Sequence, residues 1–400
     1  MTAPSSSASL RAVAIDPETT RLRVALFTGN YNMVRDGPTQ ALNRLVGHLL
    51  AQGAAVRVYA PTIANPAFPP TGDLVSLPSF AIPTRDEYRI TTGLGRAIRA
   101  DLAAFAPNIV HVASPDPAPH RAVTWARGQG LPVLASVHTR FETYMRYYGL
   151  GFTEPLLTAI LRRFYRRCDA LVAPSESFAD VLRAQRMNAD IGIWSRGVDR
   201  AIFHPGRRDM GWRAGLGIAD GEVVVGFFSR LVMEKGLDVF SDAIDALVAR
   251  GVPHRVLIVG DGPAREWLAQ RLPAAIFTGT LAGGYLARAV ASMDMLFFPS
   301  VTETFGNVTL EAMACRLPVV AAAATGSASL VDQGVTGRLI TPGQGAAEAY
   351  ADAVEAYIRD PALRARDGAA GEARAFAYDW DAINQSVADT YLRLIRARQK

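Results

Sequence analysis

The sequence predicts an α/β protein built from two parallel sheets that helices cover. Short runs rich in β-branched residues alternate with segments of helical spacing along the whole chain, a pattern typical of parallel sheets. The runs fall into two series, each long enough to form a Rossmann-like sheet of its own. At 400 residues the chain also exceeds what one hydrophobic core usually serves, which favours two domains.

The strand candidates separate into two groups along the chain. Those of the first series are residues 23–28, 55–60, 108–113, 132–137, 169–175 and 190–194. Those of the second series are residues 223–229, 254–260, 275–279, 294–300, 318–323 and 337–341. Between the series, Gly, Pro and charged residues interrupt the pattern over residues 195–210, which we interpret as a linker. We therefore divide the chain into residues 1–22, 23–200, 201–378 and 379–400.

The two ends of the chain differ from its middle. Residues 1–22 begin with a Ser-, Ala- and Pro-rich stretch that lacks the apolar run of a signal peptide, so we expect a flexible tail. Residues 379–400 have apolar residues at helical spacing, and Asp379 or Asp381 suits the N-cap position. We expect a closing helix there, and one arrangement open to it is to cross back over both domains.

Composition and charge exclude several classes of protein. Cys168 and Cys315 form no Cys-x-x-Cys pair, so neither a zinc site nor a disulfide framework is predicted. No segment approaches the ~20 apolar residues of a membrane-spanning helix, and a cytoplasmic location is compatible with the sequence. The net charge of +5 favours an anionic partner. Since no recognised nucleic-acid-binding motif accompanies that charge, we expect no nucleic acid partner.

Two glutamates, Glu303 and Glu311, flank a Phe-Gly-Asn in the segment SVTETFGNVTLEAMACRLPVVAAA, residues 300–323. We expect Glu303 in a loop and Glu311 on a helix that begins near Gly306. If the segment were wholly helical, the two carboxylates would be roughly 12 Å apart, too far to share a metal ion. They could instead hold two ends of an elongated ligand, with an anion at the helix start between them. A helix-start carboxylate and a solvated one explain the spacing equally well.

Two further features follow strands in the same half of the chain. Arg230 and Lys235 follow the candidate strand 223–229, at the edge where open α/β sheets bind ligands. A guanidinium and an ammonium together suit two phosphates. Gly260, Asp261 and Gly262 follow the next candidate strand, where glycines let a ligand approach the backbone. Solvated loop cations and a tight strand-to-helix turn are the alternatives.

Taken in order, these motifs resemble the retaining glycosyltransferases of the GT-B fold, glycosyltransferase family 4. The segments that carry the resemblance are SRLVMEKG, VGDGP and ETFGNVTLEAMACRLPVV. Two others, SVHTRFETYMRYYG and RGVDRAIFHP, are similar to the branch with plant-type sulfoquinovosyl-diacylglycerol synthase and bacterial GDP-mannose-dependent α-mannosyltransferases. The resemblance implies two Rossmann-like domains that face a cleft. Residues 23–200 would bind the acceptor, and residues 201–378 would bind the nucleotide sugar.

The resemblance also implies a role for each motif residue. Arg230 and Lys235 would bind the donor diphosphate, Glu303 the hydroxyls of the donor sugar, and Glu311 the ribose. His138 would lie by the donor sugar and the acceptor, with a core histidine bonded to backbone as the alternative. The donor-binding set further includes Gly37, Gly260, Asp261, Gly262, Phe305, Gly306, Asn307 and Val308. At Gly37 the pattern departs from the family, because Pro38 stands where relatives often have a second glycine.

The expected reaction needs no metal ion or other cofactor beyond the nucleotide sugar, which is GDP- or UDP-linked. Neither glutamate is obviously placed as a nucleophile at the anomeric carbon. Retaining enzymes of this kind are thought to let the departing phosphate oxygen take the acceptor's proton, while cations stabilise the diphosphate. Asp379 and Asp381 form the only Asp-x-Asp of the sequence, and we expect them to cap the closing helix rather than hold a metal.

Basic and aromatic residues gather in the segment 140–168. Its six arginines are Arg140, Arg146, Arg162, Arg163, Arg166 and Arg167. Such a segment could lie on an anionic bilayer with its aromatic rings at headgroup depth. A solvated helix face beside core aromatics is the alternative. We therefore expect peripheral association with the inner face of the cytoplasmic membrane and a lipid acceptor.

The sequence thus predicts a hexosyltransferase that moves a hexose, with mannose favoured, from a nucleotide sugar to a lipid or glycan acceptor. Transfer of glucose, glucuronate or sulfoquinovose from a UDP-linked donor to diacylglycerol is the alternative within the fold. A non-catalytic nucleotide-sugar-binding protein is the alternative of another class. Guanine and uracil are not distinguished, because nucleobase contacts in such folds are largely made by the backbone.

Overall fold

The computed structural model describes residues 16–34, 36–82, 85–140 and 151–399. The strands β1 to β15 are Arg23–Phe27, Ala55–Ala60, Asp73–Ser76, Ser79–Ile82, Arg85–Thr91, Ile109–Val112, Val133–Ser136, Ala170–Ala173, Ile191–Ile193, Val224–Phe228, Arg255–Val259, Ile276–Phe277, Met295–Phe298, Val319–Ala322 and Gly337–Ile340. The helices α1 to α14 are Gly37–Ala51, Arg96–Phe105, Pro117–Gly128, Glu154–Tyr165, Glu176–Ala184, Met210–Gly215, Leu237–Ala249, Arg265–Arg271, Gly283–Ala291, Asn307–Ala314, Thr325–Leu330, Ala346–Arg359, Pro361–Ala375 and Trp380–Gln399. Short 3₁₀ helices cover Thr19–Arg21, Gly151–Thr153, Pro205–Arg207 and Met233–Lys235.

Two parallel sheets form the framework of the described residues. The first sheet has seven strands in the order β3-β2-β1-β6-β7-β8-β9, and the second has six in the order β12-β11-β10-β13-β14-β15. The registered strand pairs within both sheets are parallel. The predicted α/β class is therefore confirmed, and each strand candidate of the two series corresponds to a strand.

Three strands were not predicted, and all lie between residues 73 and 91. Strand β3 has four residues of mixed burial and pairs only with β2 in its sheet. Strands β4 and β5 form a separate antiparallel pair whose register shifts between Ala81 and Ile82. A proline at 78 and the charged residues of β5 hide the apolar alternation by which strands are usually recognised.

The described residues form two compact units. One unit comprises the described residues up to 136 together with 160–171 and 384–399, and the other comprises 137–140, 151–159 and 172–383. These borders differ from the predicted division at residues 200 and 201, which stays a prediction. In particular, His138 belongs to the same unit as the second sheet.

The closing helix α14 begins where the sequence predicts it. Asp379 Oδ1 accepts hydrogen bonds from the backbone N–H groups of Asp381 and Ala382, each at 3.0 Å, which confirms the predicted cap. From residue 384 onward the helix belongs to the unit of the N-terminal residues. There the hydroxyl of Tyr391 lies 2.6 Å from Nδ1 of the fully buried His111. The end of the chain thus crosses back to the unit that contains its beginning.

The loops of the second sheet that carry predicted donor-binding residues lie at one edge of that sheet. Its strands β10, β13 and β14 are wholly buried runs of apolar residues, because helices cover both faces of a parallel sheet. The carboxyl ends of parallel strands lie at the same edge, so the loops after β10, β11 and β13 are neighbours there. Among the described residues, no helix is both long enough and apolar enough to cross a bilayer.

Candidate functional site

The loops after β10 and β11 are joined by backbone hydrogen bonds at the edge of the second sheet. Leu231 N–H donates to the carbonyl of Asp261 at 2.9 Å, and Ala264 N–H donates to the carbonyl of Leu231 at 3.0 Å. The two glycines make this approach possible. A Cβ on Gly260 would lie 1.9 Å from the carbonyl oxygen of Ser229, and one on Gly262 would lie 2.4 Å from that of Leu231.

The close approach of the two loops is therefore reason enough for glycine at both positions. Their φ angles of 142° and 158° add a conformational reason, since residues with a Cβ rarely adopt the first of these. Asp261 Oδ2 pairs with the Arg265 guanidinium at 3.0 Å, and its Oδ1 accepts from Gly262 N–H at 2.7 Å. A donor-binding role for Gly260, Asp261 and Gly262 stays a prediction.

Lys235 and Glu303 form an ion pair between the loops after β10 and β13. Their side chains are 14% and 17% exposed, so both charges are largely removed from water. Gly236, at φ 75°, directly follows Lys235, and a Cβ there would lie 2.8 Å from the carbonyl oxygen of Pro299. Glycine thus lets the start of α7 approach the end of β13, which brings the lysine to the glutamate.

Arg230 lies five residues before Lys235 in the same loop but has a different environment. Its side chain is exposed, and it makes no ion pair or hydrogen bond with the residues that the structure describes. The structure therefore places one predicted cation in a partly buried pair and leaves the other at the surface of the same loop.

The loop around Glu303 is held in place from α11. Thr325 Oγ1 donates to the carbonyl of Glu303 at 2.8 Å. A Cβ on Gly326 would lie 2.6 Å from Cβ of Glu303, so only glycine permits this close packing. After the loop, Gly306 adopts the left-handed conformation at φ 101° and begins α10.

Helix α10 begins without a side-chain cap from the described residues. Its first backbone N–H groups, those of Asn307 and Val308 among them, have no acceptor within the helix. They carry the positive end of the helix dipole, which suits an anion. This agrees with the predicted start of the helix and places Phe305 and Gly306 directly before it.

Glu311 lies on α10 in a half-buried position. Burial raises the pKa of its carboxyl group to about 8. Its side chain makes no hydrogen bond or ion pair within the described part of the chain. The carboxyl group is thus desolvated, and no partner among the described residues offsets the cost, an arrangement more common at functional sites than elsewhere.

His138 makes two hydrogen bonds, one of which joins it to the Glu303 loop. Its backbone carbonyl accepts from Thr304 Oγ1 at 3.0 Å, which ties it to the residue after Glu303. Its Nδ1 lies 2.7 Å from Nη2 of Arg196. The side chain is 7% exposed. The structure therefore brings His138 next to the Glu303 loop, and its ring is hydrogen-bonded to the side chain of Arg196.

Several residues of the site were not predicted. Ser175 Oγ donates to the carbonyl of Thr304 at 2.8 Å, and Ser177 Oγ lies 2.7 Å from Ser329 Oγ and also donates to the carbonyl of Thr325. Ser175 and Ser177 lie at the start of α5, where serines are common as helix caps, and this local signal does not reveal their long-range partners. Arg196 lies in the segment that was interpreted as a linker.

Gly37 opens a helix in the other unit. Asp36 Oδ1 accepts from Thr39 N–H at 2.9 Å while Thr39 Oγ1 accepts from Asp36 N–H at 3.1 Å. This capping box, with Pro38 in the first turn, explains the local sequence by helix initiation. A donor-binding role for Gly37 stays a prediction.

The predicted basic segment is described only in part. Arg146 lies outside the described residues, and Arg140 is half-buried. Along the 3₁₀ helix Gly151–Thr153 and the following helix α4, Phe152, Leu156 and Ile160, four residues apart along the chain, are 79%, 65% and 49% exposed. Exposed positions continue to Arg163 and Arg166 on or just after the helix, whereas Arg162 and Arg167 are half-buried. The segment thus presents an apolar stripe with cations at its end.

No group of three or more His, Cys, Asp or Glu residues in the described ranges is placed to hold a metal ion. The residues that could contact a nucleotide sugar are instead the Lys235 and Glu303 pair, the start of α10 and Glu311. These groups suit hydroxyls and phosphates.

Comparison with known proteins identifies the class to which this fold and site belong. A sequence model described as Glycosyltransferase Family 4 matches residues 35–201, and one described as Glycosyl transferases group 1 matches residues 222–360. The sucrose-phosphate synthase of Thermosynechococcus elongatus superposes with a TM-score of 0.74 at 22% identity, over 94% of this chain and 99% of that one. HepE of Anabaena in complex with UDP gives 0.71 at 20% identity, over 92% and 98%. The protein is a glycosyltransferase of the GT-B fold.

Relatives with higher sequence identity than these solved structures show the family to which the chain belongs. The GDP-mannose-dependent α-mannosyltransferase of Corynebacterium glutamicum is 32% identical over 80% of this chain and 76% of its own length. The protein of the same name from Mycolicibacterium smegmatis is 34% identical over 80% and 84%. Sulfoquinovosyl transferase SQD2 of Arabidopsis thaliana is 31% identical over 77% and 61%. The chain belongs to glycosyltransferase family 4, in the branch that contains these relatives, and the predicted family and fold are confirmed.

Proposed function

We propose that the protein transfers mannose from GDP-mannose to a lipid acceptor with retention of configuration at the anomeric carbon. The observation that carries the proposal is that Lys235 pairs with Glu303 next to the helix that carries Glu311, and that His138 is bonded to the same loop, in a family 4 glycosyltransferase. The names of the bacterial relatives favour mannose and GDP. Transfer of a UDP-linked sugar to diacylglycerol is the second candidate, favoured by the similarity to the plant sulfoquinovosyl transferase.

On this proposal, the donor diphosphate binds between Arg230, Lys235 and the start of α10. A guanidinium, an ammonium and free helix N–H groups all stabilise phosphate oxygens. Their charge matters most when the bond between the anomeric carbon and the phosphate oxygen breaks, because the leaving diphosphate then gains negative charge. That phosphate oxygen takes the proton of the acceptor hydroxyl as the new glycosidic bond forms on the same face of the sugar.

The two glutamates then bind the ends of the donor. The Glu303 carboxylate accepts hydrogen bonds from hydroxyls of the mannose, while its pair with Lys235 keeps it close to the diphosphate. Glu311 accepts from the hydroxyls of the ribose. Ribose hydroxyls would supply the polar partners that the half-buried carboxyl group of Glu311 lacks among the residues that the structure describes.

The acceptor half of the proposal is supported by α4. An exposed apolar stripe that ends in arginines suits the interface of an anionic bilayer, where apolar side chains enter the lipid and cations meet the headgroups. We propose that the enzyme associates with the inner face of the cytoplasmic membrane and there meets a lipid acceptor.

The test is transfer of radiolabel from GDP-mannose, UDP-glucose and UDP-glucuronate, each incubated with the purified protein and a membrane lipid extract. Label from GDP-mannose in the organic phase is the expected result. Label from a UDP-linked donor alone would replace the first candidate by the second. Nucleotide binding without transfer from any donor, to lipids or to soluble glycans, would favour a non-catalytic binding protein.

A further inference from the structure

We infer that Arg196 is a positioning residue that holds the imidazole ring of His138 in one tautomer for the transfer reaction. The inference rests on the proposed placement of His138 beside the donor sugar. Arg196 itself lies in the segment that follows β9, the last strand of the first sheet.

The tautomer follows from the chemistry of the contact. Arg196 Nη2 lies 2.7 Å from Nδ1 of His138. A guanidinium can only donate hydrogen bonds, and it remains charged throughout the pH range of an enzyme. Nδ1 of His138 must therefore be the acceptor, and in a neutral imidazole the proton then resides on Nε2.

Arg196 is itself rigidly held. Its side chain is 4% exposed, and Nη1 donates to the carbonyls of Trp194 and Ser195, each at 3.0 Å. The guanidinium carbon lies 5.1 Å from the centre of the Trp194 ring. That ring, 1% exposed, meets the imidazole edge-on with 5.3 Å between centroids. The guanidinium, the indole and the imidazole therefore form one packed group.

The backbone of His138 is fixed as well, because Thr304 Oγ1 holds its carbonyl next to the Glu303 loop. Both ends of the residue are thus set by partners that are distant in sequence. The hydrogen bond from Arg196 determines which ring nitrogen carries the proton. The hydrogen bond from Thr304 fixes the position of the backbone to which the ring is attached.

This arrangement assigns His138 a definite task. With its proton on Nε2, the ring can donate a hydrogen bond to a hydroxyl oxygen of the donor sugar through that nitrogen. It cannot use Nε2 to accept the acceptor's proton, which requires an unprotonated nitrogen. The proposed route, in which the departing phosphate oxygen takes that proton, needs no base at this position. Arg196 would therefore increase the rate by keeping His138 a donor.

The first test is nitrogen NMR of the full-length protein labelled with ¹⁵N-histidine. The chain has six histidines, and His138→Gln identifies the signals of the residue. We expect His138 in the Nε2–H tautomer in the wild type and a loss of that single state in Arg196→Met. Arg196→Lys keeps a donor near Nδ1 and should retain the tautomer in part. A wild-type ring protonated on Nδ1, or unchanged nitrogen shifts in Arg196→Met, would overturn the inference.

The second test is a double-mutant cycle in the transfer assay. Arg196→Met should lower kcat by roughly a hundredfold, because a misplaced group near the reacting centre costs about that much, with a much smaller change in donor KM. In the His138→Gln background the same substitution should cost nothing further. Losses that multiply would overturn the inference, since Arg196 would then act on the donor by itself. Arg183→Met, an arginine on the surface of α5 in the same unit, is the matched control.

The two tests separate this inference from the proposed function. The NMR result needs no donor, so a tautomer that depends on Arg196 would stand even if GDP-mannose proved to be the wrong substrate. In that case the cycle is repeated with whichever nucleotide sugar the transfer assay identifies. A tautomer independent of Arg196 together with normal mannose transfer would refute the inference alone.

Discussion

Lys235 and Glu303, 68 positions apart in the chain, form an ion pair with 14% and 17% of their side chains exposed. The pair exists because β10 and β13 are adjacent in the sheet and their loops leave the same edge. On the proposed function, one partner binds the diphosphate and the other binds the sugar. The ion pair therefore fixes the distance between the two halves of the donor site.

Removing Lys235 should lower activity and stability together. Lys235→Met takes away a phosphate contact and leaves a largely buried carboxylate without its partner. We expect kcat/KM for the donor to fall by about a hundredfold or more and the melting temperature to drop. In the double variant with Glu303→Gln, the melting temperature should recover while the activity remains lost. Steady-state transfer and thermal unfolding measure the two effects.

The matched control for this pair is Glu234→Gln, an exposed neighbour on the same turn. It should change neither quantity. Donor kcat/KM within threefold of wild type in Lys235→Met would contradict the proposed contact with the diphosphate.

Arg230 should affect binding without affecting stability. Its side chain is exposed, so Arg230→Met should leave the free energy of unfolding within about 0.5 kcal/mol. We expect affinity for GDP to fall by roughly tenfold and to become less sensitive to salt, because one phosphate contact is lost. Calorimetric titration at two salt concentrations tests this. Arg265→Met, which removes a 42% exposed cation at the same sheet edge, should bind GDP normally.

The elements that could be predicted are those encoded by neighbouring residues. The buried runs of β10 and β13, the turn at Gly306 and the cap at Asp379 all depend on residue type and local spacing. The glycines at 260 and 262 were recognisable as sites of close approach. That the approaching atoms are carbonyl oxygens of the chain itself required the structure, since the sequence does not name the partner.

The contacts that could not be predicted join distant positions. His138 and Arg196 are separated by 58 positions, and Ser175 and Thr304 by 129. Each of these residue types has a common local explanation, such as a linker charge or a helix cap. Only the folded chain shows that their hydrogen bonds meet at the Glu303 loop.

Glu311 should make stability depend on pH. Its pKa is raised from 4.5 to about 8 in the folded protein, so the folded state binds this proton more tightly than the unfolded state. The contribution is fully present below the unfolded pKa and is lost as pH rises through the folded pKa. Glu311→Gln, which keeps a neutral side chain, should therefore gain melting temperature over wild type between about pH 5 and pH 8.5.

Thermal unfolding across that range is the measurement, with Glu266→Gln, an exposed carboxylate in the same unit, as the control. A constant difference between Glu311→Gln and wild type at all pH values would show that the carboxyl group titrates normally. Above pH 8, where the wild-type group is ionised, the same variant should bind GDP more weakly, because an amide accepts fewer hydrogen bonds from the ribose than a carboxylate.

The closing helix should stabilise the first unit through Tyr391. Its hydroxyl bonds to the His111 ring inside the core, where burial lowers the pKa of the imidazole to about 3. Tyr391→Phe removes that hydrogen bond and should cost about 1–3 kcal/mol of unfolding free energy. GDP affinity should stay unchanged, since the substitution lies outside the unit of the second sheet. Chemical denaturation and calorimetry measure both, and Tyr285→Phe, at a residue 68% exposed, should alter neither.

The apolar stripe on α4 should determine membrane binding. Leu156→Glu places a charge where the side chain is proposed to enter the bilayer, and should weaken binding by at least tenfold, since burying one leucine is worth about 1.5–3 kcal/mol. Arg163→Glu should weaken binding to phosphatidylglycerol vesicles but not to phosphatidylcholine vesicles, because only the anionic surface attracts the guanidinium. Co-sedimentation with both kinds of vesicle measures this.

Val248→Glu is a closely matched control, because Val248 and Leu156 are both 65% exposed but lie on different helices. Equal loss of binding in Leu156→Glu and Val248→Glu would show that α4 is not the membrane contact. If the wild-type protein binds neither kind of vesicle, α4 is a solvated helix.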